Sequence, residues 1–302
     1  MGQLEDMSAF VRIVEAGGIT RAAQQLGIAK SAVSRRLVDL EGRLGVALLQ
    51  RTTRRSSLTE AGERYFQRAQ AILADVSELN ADTADSGMKL TGNLKIAVPH
   101  IFGLRHLAPA INEFALNHQG LNFHLDFSDR QVDLIEEGFD LAIRIANLQD
   151  TSHIARKIAP IRMILCASPD YLARAGTPKS PQDLKSHAGL HYTLAPTASW
   201  TFVTPAGKSV TGSVKTRLSA NSGEFLTDAA INGEGLILMP TFIAWQALNA
   251  EKLVPVMADH QIQPLTAYAL YPQTRHLSRR VRALIDFLVK RFEGKPYWDK
   301  GL

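Results

Sequence analysis

The first fifty residues carry apolar positions at helical spacing, and short polar or glycine-containing breaks divide them into three runs. The first run includes Phe10, Val11 and Val14. The second begins at Thr20, which can cap a short helix, and the third covers residues 30–44. No alternating strand pattern interrupts these runs. The pattern therefore predicts three helices, each followed by glycine: Gly17 and Gly18, Gly27, and Gly45.

Residues 48–58 form two short β-prone pieces around a basic tip, which predicts a small hairpin. Thr59 then suits the N-cap of a long helix with Glu60 and Glu63 in its first turn. Steps of four and three on this helix are typical of a coiled-coil seam, made of Tyr65, Ala69, Ile72, Val76 and Leu79. The seam indicates self-association, and the alternative is a helix packed on its own domain. Residues 82–92 have the composition of a linker.

Beyond the linker, short β-rich runs alternate with helical ones. This alternation predicts a parallel sheet covered by helices. The predicted strands are residues 94–98, 123–127, 141–145, 163–167, 214–218, 236–238 and 265–270. The predicted helices are residues 104–116, 132–137, 224–232 and 242–249, with an amphipathic helix from residue 277 to close the chain.

Composition narrows the class of protein. The chain has 302 residues, 45% hydrophobic and 21% charged, which suits two or three compact units and not a disordered protein. Its one cysteine excludes an intrachain disulfide framework and any metal site built from several cysteines. We find no apolar run near the roughly 18 residues that span a bilayer, and no signal peptide at the start. We therefore expect a cytoplasmic protein with no membrane partner.

The net charge of +5 is unevenly distributed along the chain. Residues 30–55 carry seven basic and two acidic side chains, whereas residues 56–88 carry two basic and six acidic ones. A second basic cluster lies at residues 275–300, where an amphipathic helix with solvated arginines explains it more simply than a nucleic-acid surface. The first cluster predicts that an anionic partner binds at the third helix and the hairpin.

Helix, glycine turn and helix is the arrangement that sets a second helix in the DNA major groove. On the third helix, Val33, Leu37 and Leu40 share one side, and the opposite side carries Ser31, Ser34, Arg35 and Val38. Hydroxyls, a guanidinium and a methyl surface are the groups that contact base edges. A solvated amphipathic helix is the alternative. The predicted DNA contacts are Thr20, Lys30, Ser31, Ser34, Arg35, Arg36, Arg51, Arg54 and Arg55. The basic side chains outside the base-contacting face suit phosphates.

Several motifs in the first sixty residues occur in one recognisable order. They are FVRIVEAGG at 10–18, TRAA at 20–23, Leu26, SAVSR at 31–35, LE at 40–41, LG at 44–45, RTTR at 51–54 and LTEAG at 58–62. This set resembles the amino-terminal signature of LysR-type transcriptional regulators. The resemblance implies a winged helix-turn-helix domain that binds operator DNA.

Two positions depart from that family's usual pattern. Ile19 stands where serine is usual, and Ala29-Lys30 stands where serine-glutamine is common. Ala29 removes a side-chain N-cap, at a cost of about 1 kcal/mol of helix stability. Lys30 replaces an amide that pairs with adenine by a point charge, so the departure affects which bases are contacted.

The resemblance continues into the remaining two-thirds of the chain. It rests on PHIFG at 99–103, DR at 129–130, DL at 133–134, EGFDLAIR at 137–144, ASPDYL at 167–172 and YP at 271–272. It implies two α/β lobes like those of periplasmic solute-binding proteins, with a small organic effector in the cleft. The expected domains are residues 1–58 for DNA binding, 59–88 for the linker helix and 89–302 for the effector. Lobe I is expected at 89–161 and 267–302, and lobe II at 162–266.

Ligands of open α/β sheets bind beyond the carboxyl ends of strands and near helix N-termini. This rule predicts effector contacts from Pro99, His100, Ile101, Phe102, Ser128, Arg130, Arg144, Asn221, Ser222, Gly223, Pro240 and Thr241. Free amides at helix starts would suit a carboxylate, with Arg130 or Arg144 as its partner. The alternative is that each arginine pairs internally with Asp129, Asp133 or Asp140. His100-Ile101-Phe102 replaces the serine or threonine common in the family, so we expect a more apolar pocket. The candidate effectors are a carboxylate and an aromatic ligand.

Other motifs do not support an enzyme or a metal site. His187 and His191 are four residues apart, but Gly189 lies between them and no HExxH glutamate is present. The chain lacks a G-x-S-x-G elbow, a phosphate-binding loop and a complete dinucleotide fingerprint. Cys166 lies in an apolar run and is expected to be buried and inert. We predict no catalytic residue, metal or cofactor.

The leading hypothesis is a regulator that forms a dimer or a dimer of dimers through the linker helix, with RNA polymerase as a further candidate partner. The first rival is a non-specific DNA-packaging protein, which would bind operator and random duplex alike. The second is an enzyme or solute-capture module on a DNA tether, whose ligand would leave DNA binding unchanged.

Overall fold

The computed structural model describes residues 2–51, 56–84, 89–147, 153–195, 197, 199–204, 207–272 and 277–301. The chain forms two compact units, residues 1–92 and residues 93–302. Among the described residues, no helix is long and apolar enough to cross a membrane.

In the described residues of the first unit, the chain forms four helices and a hairpin. Its helices are α1 (Gln3–Glu15), α2 (Ile19–Leu26), α3 (Lys30–Leu44) and α4 (Glu60–Ala84). The antiparallel hairpin joins β1 (Leu49–Arg51) to β2 (Ser56–Leu58). The three predicted short helices, the hairpin and the long helix are therefore confirmed.

Most of the helix ends follow the predicted local chemistry. Gly27 and Gly45 have left-handed backbones with φ of 66° and 69°, a conformation that costs glycine little. Thr59 caps α4, because its Oγ1 accepts a 2.9 Å hydrogen bond from the backbone N–H of Gly62. Thr20, however, is not a cap. The helix already begins at Ile19, with Gly18 at the N-cap and no side-chain bond, so Thr20 lies inside its first turn.

The N-terminal part of α4 packs into the core of the first unit. Phe10 is fully buried and meets the rings of Tyr65 and Phe66 edge to face, with centroids 5.6 and 6.3 Å apart. Ala69 is buried in the same core. The prediction that these positions face a partner is therefore wrong for Tyr65 and Ala69, which pack within their own domain. Ile72 is 43% exposed.

The second unit contains the remaining strands and helices. Its strands are β3 (Gly92–Val98), β4 (Leu121–Phe127), β5 (Leu141–Ala146), β6 (His153–Ile161), β7 (Met163–Ala167), β8 (Ala188–Tyr192), β9 (Ser199–Val203), β10 (Ser209–Ser213), β11 (Lys215–Ala220), β12 (Leu236–Pro240), β13 (Val254–Pro255), β14 (Gln261–Ile262) and β15 (Leu265–Pro272). Its helices are α5 (His100–Phe102), α6 (Ala108–Asn117), α7 (Pro169–Ala175), α8 (Gly223–Ile231), α9 (Thr241–Asn249) and α10 (Arg279–Arg291). A π-helical turn, Gly103–Leu107, joins α5 to α6, and 3-10 turns occupy Asp183–Ser186 and Tyr297–Asp299.

Two five-stranded sheets define two α/β lobes. The first sheet has the order β4-β3-β5-β15-β6, and the second has the order β11-β8-β12-β7-β13. A three-stranded sheet, β10-β9-β14, accompanies the second. The chain passes from the first sheet to the second between Ile161 and Met163 and is back in the first sheet at Leu265, near the predicted crossovers.

The prediction of a parallel sheet is only partly correct, because both five-stranded sheets are mixed. Strand β3 runs parallel to β5, but β15 is antiparallel to both β5 and β6. In the second sheet, β12 is parallel to β8 and antiparallel to β7. The antiparallel pairs arise where the chain crosses between lobes.

Two further predictions are corrected. The helix predicted at residues 132–137 is absent: residues 132–133 have no regular structure and residues 134–138 form a turn. On α10, Arg280 is buried and its Nε donates to the carbonyl of Asn93 at 3.1 Å, so it is not one of the solvated arginines. The apolar face of α10 is buried as expected, through Val281, Leu284, Ile285 and Leu288.

Candidate DNA interface and effector cavity

Helix α3 presents one apolar and one polar face. Val33, Leu37 and Leu40 are buried in the core of the first unit. On the other side Ser31 and Arg35 are exposed, Ser34 is half-buried, and Val38 is 49% exposed. Helical spacing alone predicts this division, since residues three and four apart share a face.

Ion pairs anchor the back of α3 to α1. Arg36 Nη2 lies 3.2 Å from Glu5 Oε2, and Arg43 Nη2 lies 2.8 Å from the buried carboxylate of Asp6. Arg36, predicted to meet phosphate, therefore also has a structural partner. Within the described part of the chain, no carboxylate pairs with Arg35.

The remaining predicted DNA contacts surround this face. Lys30 is exposed as the first residue of α3, and Ala29 caps it without a side-chain bond, as the sequence indicates. Thr20 is exposed on α2. Arg54, Arg55 and the side chain of Arg51 lie outside the described residues.

In the second unit, a cavity of about 680 Å³ is lined by both lobes. Eight of the twelve predicted effector residues line it: Pro99, Ile101, Phe102, Ser128, Arg130, Arg144, Gly223 and Pro240. They cluster because β3, β4, β5, β11 and β12 bring their carboxyl ends, or the segments that follow them, to this cavity.

The other four predicted residues do not line the cavity. Ser222 caps α8, since its hydroxyl accepts from the backbone N–H of Phe225 at 3.3 Å. Thr241 is buried and donates to the carbonyl of Arg162 at 3.2 Å. His100 and Asn221 are exposed. The backbone N–H of His100 is already bound to Asp129 Oδ1 at 3.0 Å, so this helix-start amide is occupied.

Much of the wall comes from residues that the sequence did not single out. The second lobe contributes large apolar side chains: Met163, Trp200, Met239, Phe242 and Ile243. Tyr192, at the carboxyl end of β8, reaches across the cavity and donates to Asp129 Oδ2 at 3.2 Å. Strands β8 and β9 were not predicted. The rule that ligands bind beyond the carboxyl ends of strands could therefore not be applied to them.

Arg130 and Arg144 have different electrostatic surroundings. Arg130 makes a bidentate pair with Glu137, at 2.8 and 2.6 Å, and a further bond to Asp126 at 3.3 Å. Hydrogen bonds from Arg130 lower the pKa of Glu137 to about 2. The internal-pair alternative thus holds for Arg130, but with partners other than those expected.

Arg144 is half-buried in the cavity wall. Its Nη2 donates only to the backbone carbonyl of Arg130, at 3.3 Å, and no carboxylate in the described chain pairs with it. Burial, and secondly the charge of Arg130, lower the pKa of Arg144 from its usual value. A desolvated guanidinium without a counter-charge is a strong anion site.

The motifs that were set aside have structural positions. His187 is buried and bonded to the hydroxyl of Tyr171 at 3.1 Å, whereas His191 lines the cavity. Within the described ranges, no three His, Cys, Asp or Glu side chains could hold a metal. Cys166 is buried, as predicted, and burial raises the pKa of its thiol to about 12, which disfavours the reactive thiolate.

Comparison with known families places both units. Residues 4–63 match the bacterial regulatory helix-turn-helix proteins of the lysR family, and residues 89–293 match the LysR substrate binding domain. The chain belongs to the LysR family of transcriptional regulators. The resemblance seen in the sequence is therefore confirmed.

Individual relatives extend along nearly the whole chain. The HTH-type transcriptional regulator YhjC of Escherichia coli is 37% identical, over 95% of this chain and 97% of its own length. The solved structure of CrgA, a LysR-type regulator from Neisseria meningitidis, is 32% identical with a TM-score of 0.61, and covers 97% of this chain and 100% of that one. The full-length virulence activator AphB of Vibrio cholerae is 29% identical with a TM-score of 0.60, over 96% and 100%.

These relatives are regulators, not enzymes, so this LysR-family protein is a DNA-binding transcriptional regulator with an effector-binding domain. The two rival hypotheses, a packaging protein and a tethered enzyme or capture module, lose their support.

Proposed function

We propose that this LysR-family regulator contacts operator DNA with the outer face of α3 and responds to a small organic carboxylate bound at Arg144. The observation that carries the proposal is the half-buried guanidinium of Arg144, which lines the cavity without a carboxylate partner in the described chain. Arg130 lines the same cavity, but Glu137 and Asp126 already compensate its charge.

The rest of the cavity defines the body of the ligand. Phe102, Trp200 and Phe242 supply aromatic surface, and Met163 and Met239 add flexible apolar contacts. A volume of about 680 Å³ lies within the range typical of small-molecule sites. The best-supported effector is therefore a compact aromatic or aliphatic acid whose carboxylate pairs with Arg144.

On the DNA side, roles follow from exposure and chemistry. Arg35, Ser31 and Ser34 suit base edges in the major groove, and Lys30 suits a phosphate. The other candidate contacts are Thr20, Arg36, Arg51, Arg54 and Arg55. Two DNA-binding units, joined through α4 in a dimer or a dimer of dimers, would bind half-sites spaced by whole turns of about 34 Å. This activity belongs in the cytoplasm, with RNA polymerase as a candidate partner.

A thermal-shift experiment on the full chain tests the effector class. Benzoate, salicylate, phenylacetate and malate are each compared with the corresponding amide. We expect at least one acid to raise the melting temperature in proportion to the logarithm of its concentration, because ligand binding stabilises by mass action. The amides should have no effect, since they cannot pair with the guanidinium.

Two variants identify the site. Arg144→Gln should abolish the shift, whereas Arg156→Gln should preserve it. Arg156 is a matched control because it lies in the same sheet, on β6, where it is exposed and 3.7 Å from Asp286. Equal shifts with acids and amides, or an acid shift that survives in Arg144→Gln, would contradict the proposal.

The same acid must also alter binding to the promoter region. Coupling between two sites is reciprocal, so an acid that binds the cavity should change operator affinity or bending, and operator DNA should change the affinity for the acid. An acid that binds without any effect on DNA would favour a simple capture module.

A further inference from the structure

An aromatic cluster lies directly behind the wall of the effector cavity. Phe102 and Phe242 line the cavity, and their ring centroids are 5.1 Å apart, edge to face. Phe102 belongs to the first lobe and Phe242 to the second, so this pair is a contact between lobes at the cavity wall. The rings that pack against the pair belong to His106, Phe292 and Trp298. Tyr297 does not touch the pair itself and packs on His106 and Trp298.

The hydrogen bonds of His106 define its protonation state and tautomer. Its Nε2 lies 3.2 Å from the carbonyl oxygen of Phe242, which can only accept, so Nε2 carries the proton. Burial lowers the pKa of His106 to about 4, which leaves the ring neutral near pH 7. Nδ1 is then an acceptor, and the hydroxyl of Tyr297 donates to it at 2.5 Å.

Three elements from distant parts of the sequence meet at His106. His106 lies in the π-helical turn after β3, and Phe242 lies in the first turn of α9, after β12. Tyr297 belongs to the 3-10 turn Tyr297–Asp299, beyond α10. The match to the LysR substrate binding domain ends at residue 293, so this turn lies outside the region that the family description covers.

Trp298 fills the centre of the cluster and is fully buried. Its ring centroid is 4.5 Å from that of His106, 5.7 Å from that of Phe102 and 6.4 Å from that of Phe242. It therefore contacts both members of the interlobe pair. Tyr297 also meets Trp245 of α9 at 5.9 Å, which adds a second contact with the second lobe.

We propose that the turn Tyr297–Asp299 is an interlobe clamp, which holds Phe102 and Phe242 together through His106 and so sets the shape of the effector cavity. Tyr297 and Trp298 are positioning residues, since neither lines the cavity. The proposal rests on the proposed function in one respect, that this cavity is the effector site. The clamp itself acts in the ligand-free protein.

Hydrogen exchange of the ligand-free full chain tests the clamp. Tyr297→Phe keeps the ring and removes the hydroxyl that bonds His106. We expect amide protection to fall about fivefold in both residues 100–108 and residues 241–249, the size expected for one buried hydrogen bond. Lower amide protection in both segments is the result expected when a contact joins them.

Tyr171→Phe is the matched control. It removes another tyrosine hydroxyl that bonds a histidine, His187, and it also removes the hydrogen bond that this hydroxyl accepts from the backbone N–H of Ala188 at 2.9 Å. All three residues lie within the second lobe. This variant should lower protection around residues 168–192 and leave residues 100–108 unchanged. An effect of Tyr297→Phe on only one of its two segments, or a uniform loss across both sheets, would overturn the clamp.

A second variant covers the packing contribution. Trp298→Phe keeps an aromatic ring but leaves a gap where the indole packs against Phe102 and Phe242, so it should lower protection in the same two segments by more than Tyr297→Phe does. Unchanged protection in residues 100–108 and 241–249 would contradict the proposal. This test needs no effector, so it can fail while the acid experiments succeed, and the reverse also holds.

Discussion

The outer face of α3, proposed to contact DNA, and the cavity proposed to bind the effector draw their residues from very different lengths of chain. The face comes from one helix, Lys30–Leu44, in which residues three and four apart lie together. The cavity is lined by residues from Ala97 to Leu265, carried by strands of three sheets, by the loops between them and by helices α5, α8 and α9. A local site is organised by periodicity, whereas an assembled site is organised by sheet order and by crossings between lobes.

The largest expected effect comes from shortening one side chain on each face of α3. Leu40 is 1% exposed and Val38 is 49% exposed, two residues apart on one helix. We expect Leu40→Ala to reduce the free energy of unfolding of the first unit by about 2–5 kcal/mol, because it leaves a cavity in the core. Val38→Ala should change it by less than about 0.5 kcal/mol.

Urea unfolding of the full chain, followed by signals from the first unit, measures both variants. Similar losses for Leu40→Ala and Val38→Ala would show that the two-faced description of α3 is wrong. Binding to operator DNA adds a second readout, since Val38→Ala is expected to alter preference at a thymine position without unfolding the domain.

A smaller effect is expected from changing the groups on the exposed face itself. Arg35→Ala should reduce discrimination between operator and random duplex by about 1–3 kcal/mol, because a base-edge contact is lost. Lys30→Ala is the comparison on the same helix. It should weaken binding to both duplexes alike and reduce the salt dependence by roughly one unit of slope.

Titration of binding by fluorescence anisotropy at several salt concentrations gives both quantities. Equal losses on operator and random DNA for Arg35→Ala would remove its assigned role in contacting bases.

The smallest expected effect distinguishes Arg130 from Arg144, the two arginines that line the cavity. Arg130 holds the pKa of Glu137 at about 2, so Arg130→Gln should return that pKa to the ordinary range of a glutamate. Because the folded-state pKa is lowered, the pair stabilises the fold above the unfolded-state pKa, and this contribution disappears as pH falls towards 2. The stability difference between wild type and Arg130→Gln should therefore be present at pH 7 and vanish in acid.

Carboxyl NMR follows Glu137 directly, and Arg144→Gln serves as the control that should leave its pKa low. If Arg144→Gln instead raised the pKa of Glu137, the separation between a compensated Arg130 and an anion-binding Arg144 would be incorrect.

Predictions from sequence succeeded where neighbouring residues decide the outcome. The three short helices, the hairpin, the Thr59 cap and the buried stripe of α3 depend on spacing, on glycine after a helix end and on short capping side chains. The predicted Thr20 cap was wrong by two residues, because the N-cap of α2 is Gly18.

The cavity was predicted in part, and its omissions share one cause. Pro99, Ser128 and Arg144 follow or end predicted strands and do line it. Tyr192 and Trp200 belong to β8 and β9, two strands that were not predicted. A usable signal existed for β9, because Trp200 and Phe202 alternate with polar residues. The contact between Tyr192 and Asp129 joins residues 63 positions apart, which periodicity cannot detect.

Local sequence patterns were enough to predict the helix-turn-helix, the polarity of α3, the two-lobed class of the second unit and the family. Only the folded structure showed that Tyr65 and Ala69 pack inward and that His106 joins two lobes to the turn Tyr297–Asp299. It also showed that carboxylates compensate Arg130, whereas none among the described residues pairs with Arg144. The physical reason is range. Backbone hydrogen bonding and side-chain periodicity act within a few residues, whereas burial, desolvation and ion pairing depend on which distant segments the fold brings together.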